Sequence, residues 1–213
     1  MIKINKKISI FGTGGFGKES LLCLTDSLLE TNYKINDIAN FVVSDDHFSD
    51  TELMGVPIIP LSDFNHKEFD IIIALGDPDM RKEVFKLLPK ESTFATIIHP
   101  SVKVPNSTKV GEGSILTAGS IISLDTEIGK HAHINLNSTI GHDCLIGDFF
   151  TASPGVNISG NCNIGDSVTF GTNSAVRQGV SICSNVTIGM GSIVIANIDK
   201  KGTYFGNPSR KMR

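Results

Sequence analysis

No run of lysine or arginine exceeds a few residues, and the formal net charge is −3. The chain therefore offers no electrostatic footprint for nucleic acid or for an anionic membrane surface. Nor is any apolar stretch long enough to span a bilayer. Met1 to Lys7 lead straight into the apolar run Ile8 to Phe11 without a long hydrophobic region or a cleavage site, so no export signal is expected and a cytoplasmic location is. Cysteine is scarce. Cys23, Cys144, Cys162 and Cys183 have neither CxxC nor disulfide-framework spacing. Cys144 and Cys162 stand eighteen apart, which matters below, but in a reducing compartment they read as small thiol fillers. Small molecules and copies of itself remain as partners.

What the chain does have is a period. From Val104 to Val194 an aliphatic or near-aliphatic residue recurs at every sixth position: Val104, Val110, Leu116, Ile122, Ile128, Ile134, Ile140, Ile146, Ala152, Ile158, Ile164, Phe170, Val176, Ile182, Ile188 and Val194. Two residues before each lies a small or β-branched residue, with Phe150 the bulky exception. Helices repeat near 3.6 residues and strands at 2, so a period of six fits neither. It fits a left-handed parallel β-helix, in which three hexads make one triangular coil and the aliphatic side chains stack inside the prism. By this reading Cys144 and Cys162 stack one coil apart. Gly follows the aliphatic residue at 111, 129, 141, 147, 165, 171 and 189, where a corner is expected to need unusual φ/ψ.

The first hundred residues are punctuated differently, and the sequence divides into a Rossmann-like α/β domain, 1–98, and a β-helix domain, 99–213. The strand Ile8 to Phe11 leads into Gly12-Thr13-Gly14-Gly15-Phe16-Gly17 and a helix with Leu21, Leu24 and Leu28 on one face. Next come a strand at Phe41 to Val43 ending at Asp45-Asp46, and one at Asp70 to Leu75 ending at Gly76-Asp77. A helix opened by Pro78 carries Met80, Val84 and Leu87 inward, and a last strand runs to Ile98 before His99-Pro100. Alternating strands and helices imply a parallel sheet with a ligand crevice at the strand carboxyl ends. The glycine string fits G-x-G-x-x-G, which offers backbone N–H groups to phosphate. The segment before the β-helix is too short for both halves of a dinucleotide fold, so the phosphates suit a nucleotide or nucleotide sugar. A tight strand-to-helix turn without a ligand is the alternative.

Inside the solenoid, Asn135 and Ser138-Thr139-Ile140-Gly141-His142-Asp143-Cys144 depart from filler. His142 falls two residues after an inward aliphatic, at a corner facing out of the prism. Imidazole titrates near neutrality, which suits a general base, and Asp143 would raise its basicity. The plainer reading is a solvated surface histidine. A zinc-dependent, carbonic-anhydrase-like β-helix would need three converging imidazoles. His131, His133 and His142 occupy three different hexad phases, so no metal is expected. A non-catalytic nucleotide-sugar sensor is the third class.

The stretch Ile140-Gly141-His142-Asp143-Cys144-Leu145-Ile146-Gly147-Asp148, with Ser153-Pro154-Gly155, Ser159-Gly160-Asn161 and the ending Gly206-Asn207-Pro208-Ser209-Arg210, resembles the NeuD/PglD-type family of sugar acyltransferases. So do the Gly-rich loop at 12–17, the Asp-Asp at 45–46 and the Ile-His-Pro at 98–100. The resemblance implies a homotrimer that acetylates a nucleotide-linked sugar from acetyl-CoA held between adjacent β-helices. N-acetylation of a 4-amino-4,6-dideoxy sugar for surface polysaccharide or glycan biosynthesis is favoured over O-acetylation of sialic acid. It further implies that His142 is the catalytic base, Asp143 the adjacent acid, and Asn135 a residue lining the site. Gly160 would offer a backbone N–H to the thioester carbonyl, with Thr151, Thr172 and Gly189 along the coenzyme. Gly14, Gly15, Phe16, Asp45, Asp46 and Gly76 would hold the nucleotide sugar. Phe16 and Thr151 stand where the family often has histidine.

Overall fold

The computed structural model describes residues 6–29 and 31–212; Met1 to Asn5, within the segment in which no export signal is expected, lie outside them. The chain divides into two compact units, Met1–His99 and Pro100–Arg213.

The first unit is a sheet in the order β3-β4-β2-β1-β5, built from β1 (Lys7–Phe11), β2 (Ala39–Val43), β3 (Glu52–Leu53), β4 (Val56–Pro60) and β5 (Phe69–Ile73). β1 lies parallel to β2 and β5, and β2 parallel to β4. Ile10, Phe41, Val42 and Ile71 to Ile73 are fully buried, as strands covered on both faces require. Helix α1 (Gly15–Leu28) buries Leu21, Leu24 and Leu28, the face its spacing predicts. The edge hairpin of β3 and β4 is not predicted. Its turn places Met54 and Gly55 at φ +52° and +75°, and methionine at such a site, with Pro57 and Pro60 in the strand, hides the signal.

Helix α2 (Ile35–Ile38) is a single turn, and α3 (Pro78–Leu87) begins where Pro78 predicts. The Asp77 carboxylate accepts from the N–H groups of Asp79 (2.8 Å) and Met80 (3.0 Å), closing its first turn. One expectation fails. Of the three residues read as inward, only Val84 is buried; Met80 and Leu87 are 57% and 66% exposed. Arg81 is buried instead, and Met80 and Leu87 face a cavity described below.

The second unit is the left-handed parallel β-helix that the hexads predict, and among the described residues each of its three faces stacks five coil strands. Successive coils pair in an 18-residue register, for example Thr139 with Asn157 and Ile140 with Ile158. Its first face carries Ile128, Ile146, Ile164 and Ile182 inward; the second Leu116, Ile134, Ala152, Phe170 and Ile188; the third Ile122, Ile140, Ile158, Val176 and Val194, all buried. Phe150, the bulky exception, is fully buried in the hexad whose aliphatic position holds the small Ala152, and its ring centroid lies 6.0 Å from that of Phe170. At the C-terminus, Gly202–Phe205 adds a parallel strand and Arg210–Lys211 an antiparallel one.

The glycines after the aliphatic residues have a different purpose from the one the sequence suggests. Positive φ falls two residues later, at one residue in every hexad from 113 to 191, including Asp125, His131, Asn137, Asp143, Phe149 and Asn161. The glycines are needed for closeness. A Cβ at Gly147 would lie 2.4 Å from the Asp166 carboxylate and 2.6 Å from its backbone nitrogen. That vacancy admits the carboxylate of the next coil, which accepts from the Asp148 N–H at 2.8 Å; Asp148 does the same for Lys130 at 2.7 Å. The repeated Ile-Gly-Asp is thus a coil-to-coil capping device. Among the described residues, no helix is long and apolar enough to cross a membrane.

Candidate active site

The edge joining the third face to the first lacks this capping ladder and carries the chemistry. His142 stands there 46% exposed, with Nδ1 2.6 Å from Asp143 Oδ2. Asp143 reaches back because its backbone is left-handed, φ +57°. With Nδ1–H donated to the carboxylate, the lone pair of the neutral ring sits on Nε2. One coil on, at the same corner position, is Gly160. A Cβ there would lie 2.6 Å from His142 Nε2 and 2.7 Å from Cε1, so the imidazole rests over a site that only glycine leaves open. Gly141 makes the matching allowance, since its Cβ would meet the Gly160 nitrogen at 2.5 Å. The Gly160 N–H has no acceptor among the described residues, whereas the equivalent groups of Lys130, Asp148 and Asp166 on the first-to-second edge are capped by side chains. A fixed imidazole with a free Nε2 beside an uncommitted backbone donor can take a proton and steady an oxyanion.

Other expected coenzyme and site residues lie elsewhere. Asn135 is buried on the second-to-third edge, its amide donating to the Ala152 carbonyl at 2.7 Å. Thr151 is buried on the second face. Thr172 and Gly189 share the second-to-third edge, and Phe205 packs over Gly189, where a Cβ would meet its ring at 2.1 Å. One chain therefore brings Gly160 to His142 but puts Asn135, Thr172 and Gly189 on another edge of the prism. The three solenoid or near-solenoid imidazoles stand apart too: His131 stacks on Phe149 with centroids 4.9 Å apart, and His133 is buried on the second face. Among the described residues no group of His, Cys, Asp and Glu gathers as a metal would require. A groove of about 560 Å³ runs past Lys109, Lys130, Asn163 and Asp166, on a different edge from His142.

In the first unit a cavity of about 340 Å³ opens at the carboxyl ends of β1, β2 and β5, as the topology predicts. Phe11, Val43, Leu75, Met80 and Leu87 give it apolar walls, and Thr13, Ser44, His47 and Glu83 its polar groups. The glycines of the loop separate by role. Gly12, at φ +108°, and Gly17, whose Cβ would lie 2.0 Å from the Gly12 carbonyl, are demanded by packing. Gly14, Gly15 and Gly76 have open space where a Cβ would stand. Phe16 is half-buried on the first turn of α1. Of the two aspartates, Asp45 accepts from the Ser62 N–H at 3.3 Å, and hydrogen bonding from the Ser62 side chain first, with this backbone bond beside it, holds its pKa below the ordinary value. Asp46 pairs with His47 at 3.0 Å. His47 lines the cavity and the aspartates do not. Sequence reading missed His47 because it follows the Asp-Asp motif without belonging to a spacing rule.

Residues 7–88 match the family described as PglD N-terminal domain, and residues 156–196 match the hexapeptide repeat of succinyl-transferase. The acetyltransferase domain of PglB from Neisseria gonorrhoeae FA1090, solved with acetyl coenzyme A, superposes with a TM-score of 0.85 at 27% identity, covering 98% of this chain and 100% of that one. The chain thus combines a PglD N-terminal domain with hexapeptide repeats, and is similar to PglD-type sugar acetyltransferases. WeeI from Acinetobacter baumannii AYE is similar to this chain at 27% identity and TM-score 0.87, covering 97% and 99% of the two chains. PerB from Caulobacter crescentus, solved with CoA and GDP-perosamine, is similar at 25% identity and TM-score 0.84, covering 97% of each. No curated protein sequence matches the chain.

Proposed function

We propose that this enzyme transfers the acetyl group of acetyl-CoA to the amine of a nucleotide-linked 4-amino-4,6-dideoxy sugar, a step in building a surface polysaccharide or glycan. The observation that carries the reading is the His142 imidazole, tied by Nδ1 to Asp143 and seated over Gly160. The ligands of the PglB domain and PerB supply the chemical classes of the two substrates. The amine is preferred over a sialic acid hydroxyl because the first unit has a crevice suited to a nucleotide-linked acceptor.

In this mechanism the neutral amine attacks the thioester carbonyl carbon and a C–N bond forms. Its nitrogen loses a proton to His142 Nε2, and the carbonyl electron pair moves onto oxygen, where the Gly160 N–H donates to it. Collapse of the oxyanion breaks the C–S bond, and the proton on His142 passes to the departing thiolate. Products are the amide and free CoA. Asp143 favours the imidazolium formed midway. Acetyl-CoA is a cosubstrate and no metal takes part.

The division of expected residues between two prism edges supports a site shared by neighbouring chains, and so a cyclic homotrimer. We place the enzyme in the cytoplasm, where acetyl-CoA and activated sugars meet it. The test is mass spectrometry of products after acetyl-CoA is supplied with a panel of nucleotide-linked amino sugars and with sialic acid. A 42 Da gain (about one acetyl for one hydrogen) localised to the sugar amine is expected on the general-base mechanism. O-acetylated sialic acid as the sole product would replace the amine, and no CoA release with any acceptor would leave a sensor.

A further inference from the structure

The loop that bounds the crevice beyond β5 is held by a side chain that the transfer mechanism leaves unused. Arg81, on the first turn of α3, is fully buried. Its Nη1 donates to the carbonyl oxygens of Leu75 (2.8 Å) and Gly76 (3.0 Å). Burial pushes its pKa down to about 9 against the pull of Asp77, so the guanidinium remains charged at neutral pH. A buried charge is a poor stabiliser, because desolvation offsets much of what its bonds return. Its bonds here fix the shape of a loop.

That shape has consequences for the crevice. In a trans peptide the carbonyl and the following N–H point in opposite directions, so drawing the Leu75 and Gly76 carbonyls inward turns the N–H groups of Gly76 and Asp77 away from the guanidinium. The same loop backs the glycine string: a Cβ at Gly12 would lie 3.0 Å from Leu75 Cδ2 and 3.3 Å from the Ala74 carbonyl. The Ala74 N–H donates to Phe11 at 2.9 Å. Arg81, the β5 loop and the glycine loop form one continuous set of contacts.

We propose that Arg81 is a positioning residue for the acceptor: by holding the Leu75 and Gly76 carbonyls inward it sets the β5 loop and, through Leu75, the glycine loop in the geometry that receives the nucleotide. This rests on reading the first unit as the nucleotide-sugar site. The test compares full-length wild type, Arg81→Met and Arg81→Lys by calorimetric titration with UDP, GDP and dTDP, and separately with acetyl-CoA. Arg81→Met removes both charge-assisted bonds and is expected to weaken the nucleotide about tenfold or more while acetyl-CoA affinity stays within about twofold. Arg81→Lys should recover part of the loss, since an ammonium keeps the charge without the fork that bridges two carbonyls. Amide exchange at 74–77 should quicken in step with the lost affinity. If Arg81→Met does not fold, Arg81→Lys decides alone, with selective weakening of the nucleotide as the supporting result. Nucleotide affinity equal to wild type in a folded variant, or equal weakening of both ligands, overturns the role of Arg81. Wild type that binds none of the nucleotides overturns the nucleotide-site reading itself, and this inference with it.

Discussion

At the scale of single residues, glycine in this chain answers two different demands, and substitution separates them. Gly147 has ordinary backbone angles but no room, because Asp166 occupies the space above it. Gly179 has φ +76° and open space, the position that asparagine fills at 137, 161, 173 and 185. Gly147→Asn should therefore destabilise by about 1–3 kcal/mol through overpacking and loss of the carboxylate cap. Gly179→Asn should stay within about 0.5 kcal/mol of wild type, since asparagine tolerates the left-handed region. Thermal unfolding of the two variants checks the distinction. Equal losses would restore the sequence-level idea that the corner glycines serve unusual φ/ψ. Gly160 belongs to the crowded class, with the difference that the group above it is the His142 ring.

At the scale of elements, the strand, glycine loop and helix at the start of the chain carry a second such contrast. Gly17→Ala puts a methyl against the Gly12 carbonyl and should lower the melting temperature of the first unit. Gly15→Val places its Cβ where, among the described residues, nothing beyond its own helix turn lies within 4 Å. It should leave the fold standing and impair acceptor binding alone, with acetyl-CoA affinity near normal. Equal weakening of both ligands would make the loop structural, and no weakening would put the acceptor elsewhere. The solenoid was legible in the sequence because its period is strict and every coil repeats the same demand. The strands β1, β2 and β5 were legible as apolar runs before turn residues. The hairpin was not, because Met54 stands at a left-handed position and prolines interrupt its strand. His142 and Asp143 touch as sequence neighbours, so a local motif exposes their pairing. His47 lines the crevice and Arg81 holds the loop beyond β5 through contacts that no spacing rule encodes. The helical pattern of Met80, Val84 and Leu87 was read as a core stripe because a crevice wall and a core stripe have the same period.

At the scale of the whole molecule, each edge of the prism carries a different set of residues, and chemistry that draws on two edges calls for more than one chain. Light scattering at micromolar concentration should give a trimer mass, and a strictly monomeric, fully active protein would contradict the shared site. Within such an assembly the reaction still turns on one proton acceptor. The direct measurement is kcat of His142→Ala at neutral and alkaline pH, with mass and acetyl-CoA binding monitored. At pH 7 the loss should be roughly a hundredfold or more, the scale of a missing general base, with assembly and coenzyme affinity unchanged. The deficit should shrink as pH rises, because hydroxide takes over part of the proton transfer, and Asp143→Asn should lose less than His142→Ala at every pH. Near wild-type turnover of His142→Ala at pH 7 would contradict the account and leave His142 as a surface residue on the solenoid.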